Sequence, residues 1–163
     1  GGTVTAWFAN NPSIKTTTTF KKLETIQTEV IYASSEEVGD GDAKNLVDGD
    51  PATYWHSMYS VTVAKYPHWV DLDAGEVKTI KGFTYMPRQD SYNGNVKEYT
   101  IHVSMDGKNW GEPVQKGTFA GNRDEKKVIF SQPVKGRYIR FTALSEQYGQ
   151  DYASGAELTI LAE

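Results

Sequence analysis

Apolar residues in this chain recur as short runs that alternate with polar positions and end at turn residues. Runs of about four to eight residues rich in Val, Ile, Tyr and Phe are typical of β-strands, and no segment shows a sustained helical period. Such strands, spaced by turns, predict an all-β fold, an antiparallel β-sandwich of the jelly-roll type. The predicted strands are 30–33, 69–72, 79–85, 99–104, 127–130, 138–143 and 157–161.

The first 27 residues follow a different pattern, in which two runs, 3–8 and 16–19, predict a hairpin around a turn at 10–13. A lone hairpin is marginally stable in water, so we expect it to pack on the main domain or to be the severed end of a preceding one. The chain then divides into residues 1–27, a linker or the closing strands of another module, and residues 28–163, one β-domain. The Gly-Gly start without Met indicates a fragment or a processed chain.

Length and composition limit the function classes. A chain of 163 residues is long enough for one well-buried domain, and 38% hydrophobic content with a net charge of −4 is typical of soluble globular proteins. The mild acidity argues against nucleic acid as the main partner, and no apolar run approaches the ~20 residues that span a bilayer. The absence of cysteine excludes disulfides and thiolate sites, so any metal must be held by oxygen or imidazole.

The chain carries no recognisable catalytic motif: it has no nucleophile elbow, no phosphate loop and no His-Glu-x-x-His pair. Its acidic residues fall mostly in turns, and sequence alone does not give the separation that a pair of catalytic carboxylates needs. Ten Tyr and four Trp are more than a minimal core requires. Such side chains often line surfaces that bind flat apolar ligand faces, although a β-rich core also favours them. The pattern favours a binding domain over an enzyme.

The loop 48–57 is the most informative segment. Asp48, Asp50 and Thr53 offer the carboxylate, hydroxyl and backbone oxygens that a hard cation such as calcium takes, while the intervening Gly and Pro let the chain curl around an ion. His56 follows at the end of the loop, where its imidazole can hydrogen-bond a ligand hydroxyl. For His56 alone a structural role is the alternative, but the surrounding pattern favours ligand binding.

The other two histidines have simpler interpretations. His102 falls on the polar face of the predicted strand 99–104, which predicts a solvated position. His68 shares a strand face with Val70 and Leu72, which predicts a structural histidine whose ring is hydrogen-bonded. We therefore expect neither of them to bind a ligand.

Two further polar loops carry groups suited to ligand binding. In the loop 86–95, Arg88 supplies a rigid donor fork and Asn93 supplies both a donor and an acceptor. Alternatively, Arg88 forms an ordinary surface ion pair with Asp90. In the loop 147–157, Tyr152 can stack on the apolar face of a sugar ring.

Seven short motifs follow one another along the chain. They are Ala-Ser-Ser-Glu-Glu at 33–37, Leu-Val-Asp-Gly-Asp at 46–50 with Thr53, Trp55 and His56, Tyr-Pro-His-Trp at 66–69, Pro-Arg-Gln-Asp at 87–90, Val-Ser-Met-Asp-Gly at 103–107 with Trp110, Arg-Tyr-Ile-Arg at 137–140, and Ala-Glu-Leu at 156–158. In this order and spacing the chain resembles the F5/8 type C, or discoidin-like, domain over residues 28–163. Within that family it resembles the family 32 carbohydrate-binding modules attached to bacterial glycoside hydrolases.

The resemblance implies an eight-stranded β-sandwich that binds sugars at loops on one end and holds a structural calcium nearby. The sugar-binding side chains would be His56, Arg88 and Asn93 as partners of hydroxyl groups, Glu36 or Glu37 as a further acceptor, Tyr152 as a stacking ring and Tyr59 as a second aromatic wall. The calcium ligands would be Asp48, Asp50, Thr53 and Glu157, with backbone oxygens from Asn45 and Ala156.

The same resemblance implies a function. A His, Arg and Asn set is similar to that of family members that bind terminal galactose or N-acetylhexosamine. The domain would be non-catalytic and would direct a glycoside hydrolase in the same parent chain, such as a bacterial β-hexosaminidase, to its glycan, at an extracellular, periplasmic or cell-surface location. Residues 1–23 resemble the closing strands of a fibronectin-like module. The alternative is a discoidin-type module that binds membrane phospholipid or a protein partner, but the chain lacks the terminal disulfide of such modules and its corresponding loops are polar.

Overall fold

A computed structural model describes the backbone of all 163 residues and every side chain except those of Phe8, Pro12, Ile14 and Phe20. The described residues form eleven strands and one short 3-10 helix, Ala43–Val47. The strands are β1 Gly2–Phe8, β2 Asn11–Phe20, β3 Glu24–Ile26, β4 Glu29–Ala33, β5 Trp55–His56, β6 His68–Met86, β7 Glu98–Ser104, β8 Gln115–Thr118, β9 Lys126–Ala143, β10 Ser154–Gly155 and β11 Glu157–Ala162. Among these described residues, no helix is long and apolar enough to cross a membrane.

The long antiparallel strands β6 and β9 organise the main sheet, whose order is β3-β11-β6-β9-β7-β8 with β4 paired to β6. Their mutual register is interrupted between Asp73 and Lys78 and again between Ile80 and Gly82. The first half of β6 pairs with β4 and its second half with β11, while β7 pairs with the second half of β9. The two strands therefore run through both layers of an antiparallel β-sandwich, which confirms the predicted fold class. Each of them joins two strands that the sequence pattern predicts separately.

Stacked aromatic rings fill the interior beneath the loop end. Tyr85 and Phe83 are fully buried, and the ring of Tyr85 stacks on Phe119 and Phe141 at centroid distances of 5.0 and 5.5 Å. A buried tyrosine hydroxyl needs a hydrogen-bond partner, and that of Tyr85 donates to the carbonyl of Ser154 at 2.7 Å. The core thereby anchors the loop that precedes β11.

The N-terminal segment forms its own hairpin. Strands β1 and β2 pair with each other in a separate two-stranded sheet, with the turn at Ala9 and Asn10 rather than at 10–13. Strand β3 instead pairs with β11, and Ile26 packs against the core. Strand β3 therefore belongs to the main sheet, and the predicted division of the chain at residue 28 stays a prediction. The origin of residues 1–23 in another module stays a prediction.

The outer face of the sheet around His102 is more covered than its sequence pattern indicates. His102 is half-buried, and its Nδ1 is buried without a hydrogen-bond partner among the described residues. Arg140 pairs with His102 across the sheet, and its guanidinium lies 5.3 Å from the ring centroid of Trp69 and 4.4 Å from that of Trp110. The predicted solvated position of His102 is wrong because the neighbouring long side chains cover this part of the face.

We expect Val70→Ala to lower the free energy of unfolding by about 2 kcal/mol, since truncation of a fully buried valine removes apolar burial and leaves a cavity. Val61→Ala is the matched control: Val61 is 86% exposed, so its truncation changes that free energy by less than about 0.5 kcal/mol. Urea denaturation of the three proteins measures the difference. Equal losses in both variants would contradict this placement of the core.

Candidate functional site

Five side chains from three loops meet in one pocket of about 250 Å³ at the end of the sandwich. The lining residues are His56, Tyr59, Arg88, Asn93 and Tyr152. All five belong to the set that the family resemblance assigns to carbohydrate binding, although they lie far apart in the chain. A pocket of mixed polar and aromatic lining suits a small ligand with both hydroxyl groups and an apolar face.

His56 is held in the pocket by β5, which pairs with β10. Its side chain is 2% exposed, and Nδ1 lies 2.7 Å from the carbonyl oxygen of Ser57. A carbonyl can only accept, so Nδ1 carries the proton and Nε2 is the acceptor of the neutral ring. Burial lowers the pKa of His56 below 6.5, which keeps the ring neutral at pH 7. Gly41 allows this close packing, because a Cβ there would lie 2.6 Å from the Cβ of His56.

Arg88 forms one wall of the pocket. Its guanidinium lies over the ring of Tyr54, 3.7 Å from the centroid, and two of its nitrogens donate to Asp90 at 2.5 and 3.1 Å. The alternative ion pair with Asp90 thus forms, but the side chain of Arg88 is only 15% exposed while that of Asp90 is 62% exposed. Asp90 binds Nε and Nη2, so the Nη1 edge is the part of the donor fork that can meet a ligand.

Two tyrosines provide the aromatic walls. The ring of Tyr59 lies 5.0 Å from that of His56, and the ring of Tyr152 lies 5.3 Å from it. The two tyrosine rings are 6.4 Å apart at 74°, so a ligand between them meets two differently oriented faces. The hydroxyl of Tyr59 donates to Asp40 at 2.6 Å, and this bond, followed by desolvation, raises the pKa of Tyr59 to about 12.

The loop that carries Tyr152 is attached to the segment before β6. The hydroxyl of Tyr66 donates to the carbonyl of Tyr152, and His68 Nε2 lies 2.7 Å from the carbonyl oxygen of Asp151. Lys65 adds an ion pair to the side chain of Asp151 at 2.6 Å. His68 is 1% exposed, which confirms the structural histidine predicted from its strand face. These contacts fix where Tyr152 enters the pocket.

Glu36 and Glu37 are not among the residues that line this pocket, and the expectation that one of them accepts a hydrogen bond from the sugar stays a prediction. The carboxylate of Glu37 accepts from the backbone N–H groups of Tyr59 and Ser60 at 2.7 and 2.9 Å and from the Ser60 hydroxyl. These bonds lower its pKa. Glu36 accepts from the N–H of Ala43 at 2.7 Å and lines a separate pocket. Both carboxylates are used within the protein, and Glu37 supports the wall that carries Tyr59.

The loop 48–53 is held by hydrogen bonds to its own carboxylate oxygens. Asp48 accepts from the backbone N–H of Asp50 at 2.8 Å and from the hydroxyl of Thr53 at 2.7 Å. Asp50 accepts from the N–H of Ala52 at 2.9 Å, and Gly49 has a φ of 80°, a left-handed conformation that glycine adopts without strain. The result is a tight turn lined by carboxylates.

Glu157 brings a third carboxylate to this turn. Its Oε1 is buried and has no hydrogen-bond partner among the described residues. Burial, together with the charges of Asp48 and Asp50, raises the pKa of Glu157 to about 7. An all-oxygen set with an orphaned buried carboxylate oxygen fits a hard cation such as calcium. In the described part of the chain, no three His, Cys, Asp or Glu side chains form a metal cage by themselves, so such a site needs further oxygens.

The other two residues assigned to this ion are next to the turn. Asn45 lies in the 3-10 helix, and its side chain donates to the carbonyl of Tyr54 at 3.1 Å, so its backbone oxygen is the relevant group. Ala156 is fully buried and directly precedes Glu157. The role of their carbonyls as calcium ligands stays a prediction.

Several residues that shape the site are given no role by the sequence. Asp40, Ser57, Ser60 and Tyr66 act through bonds to residues distant in the chain. Tyr54 lies within the loop singled out by its composition, but its contact with Arg88 depends on the fold. Only the pairing of the loops reveals these supporting roles.

A β-sandwich whose loops form a small polar and aromatic pocket is the architecture of a ligand-binding module. The F5/8 type C domain family matches residues 30–158. The chain therefore belongs to the F5/8 type C domain family. A sialidase from Micromonospora viridifaciens is 40% identical over 156 residues, which cover 93% of this chain and 24% of the sialidase. The chain thus spans about a quarter of the length of that relative.

Similar solved structures are family 32 carbohydrate-binding modules. The module CpGH89CBM32-5 from Clostridium perfringens, in complex with GalNAc-β-1,3-galactose, has a TM-score of 0.76 at 31% identity and covers 84% of this chain and 99% of that chain. The family 32 module of C. perfringens NanJ, in complex with galactose, has a TM-score of 0.76 at 27% identity, with 86% and 99% covered.

We expect Glu37→Gln to lower the melting temperature at neutral pH, because it removes the charge that the loop at 59–60 binds. The pKa of Glu37 lies below its ordinary value of 4.5. The advantage of the wild type is therefore complete above about pH 4.5 and is lost as the pH falls through the lower pKa of the folded state.

Thermal melts of both proteins from about pH 7 to about pH 3 measure this advantage. Glu125→Gln, at an exposed glutamate, is the control and should show no such gap. A gap for Glu37→Gln that stayed constant down to the lowest pH would contradict the role of the carboxylate charge.

Proposed function

We propose that this domain is a non-catalytic carbohydrate-binding module that binds terminal galactose or N-acetylhexosamine. The observation that carries the proposal is the convergence of His56, Arg88, Asn93 and Tyr152 in one pocket. The similar modules solved with galactose and with GalNAc-β-1,3-galactose support it.

Each pocket side chain has a distinct role in this proposal. His56 Nε2 accepts a hydrogen bond from one sugar hydroxyl, and the free edge of Arg88 donates to another. Asn93 can donate and accept, so it discriminates the orientation of a hydroxyl group. Tyr152 stacks on the apolar C–H face of the ring, and Tyr59 closes the other side.

The proposed role in a larger protein follows from the weakness expected of such a pocket. It contacts few ligand atoms, so a monosaccharide should bind in the millimolar range. Weak binding is useful when it raises the effective concentration of a linked catalytic module near its glycan. We therefore propose a glycoside hydrolase as the parent chain, with a β-hexosaminidase as the narrower form of this proposal, acting outside the cytoplasm.

We expect His56→Ala to abolish detectable binding of galactose and N-acetylgalactosamine, since it removes the buried acceptor of the pocket. His102→Ala is the matched control, a half-buried histidine on the sheet outside the pocket, and it should bind as the wild type does. Isothermal titration and a glycan array measure both. Binding that survives His56→Ala, or a wild type that binds neither these sugars nor N-acetylglucosamine, would overturn the proposal.

Phospholipid binding is the second candidate function. The loop 57–65 exposes Val61 at 86% and Val63 at 38%, so its surface is partly apolar. Sedimentation with vesicles of anionic and of neutral lipids tests this candidate. Binding to anionic vesicles that Val61→Asp removes, while sugar titrations stay silent, would favour the lipid over the sugar.

We also propose that the acidic turn holds a structural calcium ion. Asp48, Asp50, Thr53 and Glu157 would hold it together with the carbonyls of Asn45 and Ala156. Its charge would offset three carboxylates at the turn and satisfy the orphaned oxygen of Glu157. The ion would stabilise the fold and take no part in chemistry.

We expect calcium to raise the melting temperature by about 5–10 °C at 100 times its dissociation constant, because an ion that binds the folded form stabilises it by about 2.7 kcal/mol there. A chelator should reverse the shift, and Glu157→Gln should remove most of it. Glu125→Gln should keep it. Differential scanning calorimetry measures these shifts, and equal melting temperatures with calcium and with chelator would contradict the ion site.

A further inference from the structure

A pair of exposed tyrosines lies beside the pocket and has no role in it. Tyr92 is 43% exposed and Tyr148 is 60% exposed. Their ring centroids are 6.2 Å apart at 82°, so the two rings form an open corner. The guanidinium of Arg123 lies over the ring of Tyr92, 4.6 Å from its centroid. We call these three residues the Tyr92–Tyr148 corner.

The Tyr92–Tyr148 corner stands on three loops that are hydrogen-bonded to one another. Gln89 donates to the carbonyl of Arg123 at 3.0 Å, and Arg123 donates back to the carbonyl of Gln89. The side chain of Asn95 donates to the carbonyl of Asn122 at 3.2 Å. The backbone N–H of Gln147 donates to the carbonyl of Asn95 at 3.0 Å. Loops held in place this way lose little conformational entropy when a ligand packs on them.

The corner continues the pocket. Tyr92 directly precedes Asn93, and Tyr148 lies in the loop that carries Tyr152. Ser154 joins the two loops, because its hydroxyl donates to the carbonyl of Asn93 at 2.6 Å. The two rings therefore lie on the same two loops that supply Asn93 and Tyr152 to the pocket.

The chemistry of the corner favours a neutral sugar over an acidic one. Arg123 is already bonded to the carbonyl of Gln89, and the pKa of Asp90 is lowered first by its bond to Arg88 and in smaller part by the charge of Arg123. Asp124 and Glu125 follow it in the chain. The positive charge is therefore offset locally, and the exposed groups that remain are aromatic faces and hydroxyls, which suit the C–H face and hydroxyls of a sugar ring.

We propose that the Tyr92–Tyr148 corner is a second sugar subsite, which binds the sugar unit next to the terminal one in a neutral oligosaccharide. This inference rests on the proposed function, because the first sugar must occupy the pocket. The domain then distinguishes glycans by their penultimate sugar as well as by their end.

The test compares monosaccharide with oligosaccharide binding. The probes are galactose, N-acetylgalactosamine, and a panel of neutral di- and trisaccharides that end in either sugar through different linkages. The wild type should bind at least one oligosaccharide about three- to tenfold more tightly than it binds the corresponding terminal monosaccharide. This is the gain in affinity that one aromatic contact supplies. Tyr148→Ala should remove that gain and leave the dissociation constant of the monosaccharide within about twofold.

Two further variants separate this role from simple bracing of the loops. Tyr32→Ala removes another exposed tyrosine, 52% exposed and beside the ring of Trp69, and it should keep the full gain. Tyr92→Ala should act as Tyr148→Ala does. If no oligosaccharide in the panel binds more tightly than its terminal sugar, or if the gain survives both corner variants, the proposed second subsite is wrong. The proposed sugar binding in the pocket is then unaffected. If no monosaccharide binds, the proposed function and this inference fail together.

Discussion

The loop end of this domain depends on the short antiparallel pairing of β5 with β10. It sets His56 opposite Ser154, and it continues in two bonds between Ser57 and Ala153, at 2.8 and 3.0 Å. Loops far apart in the sequence are thereby held together by backbone pairing as well as by side-chain bonds. Since ordering a free loop costs about 1–2 kcal/mol per residue, this pairing lets Tyr152 face His56 before any ligand arrives.

The same pairing positions the acidic turn. Trp55, fully buried in β5, directly follows the turn that starts at Asp48, and Gly155 in β10 lies two residues before Glu157. A Cβ at Gly155 would lie 2.8 Å from the ring of Tyr85, so only glycine lets β10 approach the core this closely. The carboxylates of the turn and the side chains of the pocket thus share one frame. The acidic turn and the pocket are linked here through the backbone.

Local patterns predicted most of the strands, because alternation and turn residues act within a few positions. They could not predict that β6 continues through 68–86, since that depends on pairing with β9. The pocket residues His56 and Arg88 could be identified from the sequence as polar groups in loops. The order of the motifs then assigned their roles by resemblance to the family. The bonds of Glu37 within the protein could not be predicted, because its partners at 59 and 60 lie distant in the sequence. A carboxylate that binds a ligand and one that braces a loop look alike in the sequence.

The position of Tyr59 indicates how such a domain can change its ligand without losing its fold. His56 lies on a strand and Arg88 on the ring of Tyr54, whereas Tyr59 is held by polar bonds from Glu37 and Asp40. The loop beyond it is largely exposed, and substitutions in exposed loops change stability by less than about 0.5 kcal/mol. Lengthening such a loop also costs little. The loop beyond Tyr59 can therefore change at small cost while His56 and Arg88 stay fixed, so the shape of the pocket rim and most of the stability reside in different parts of the domain.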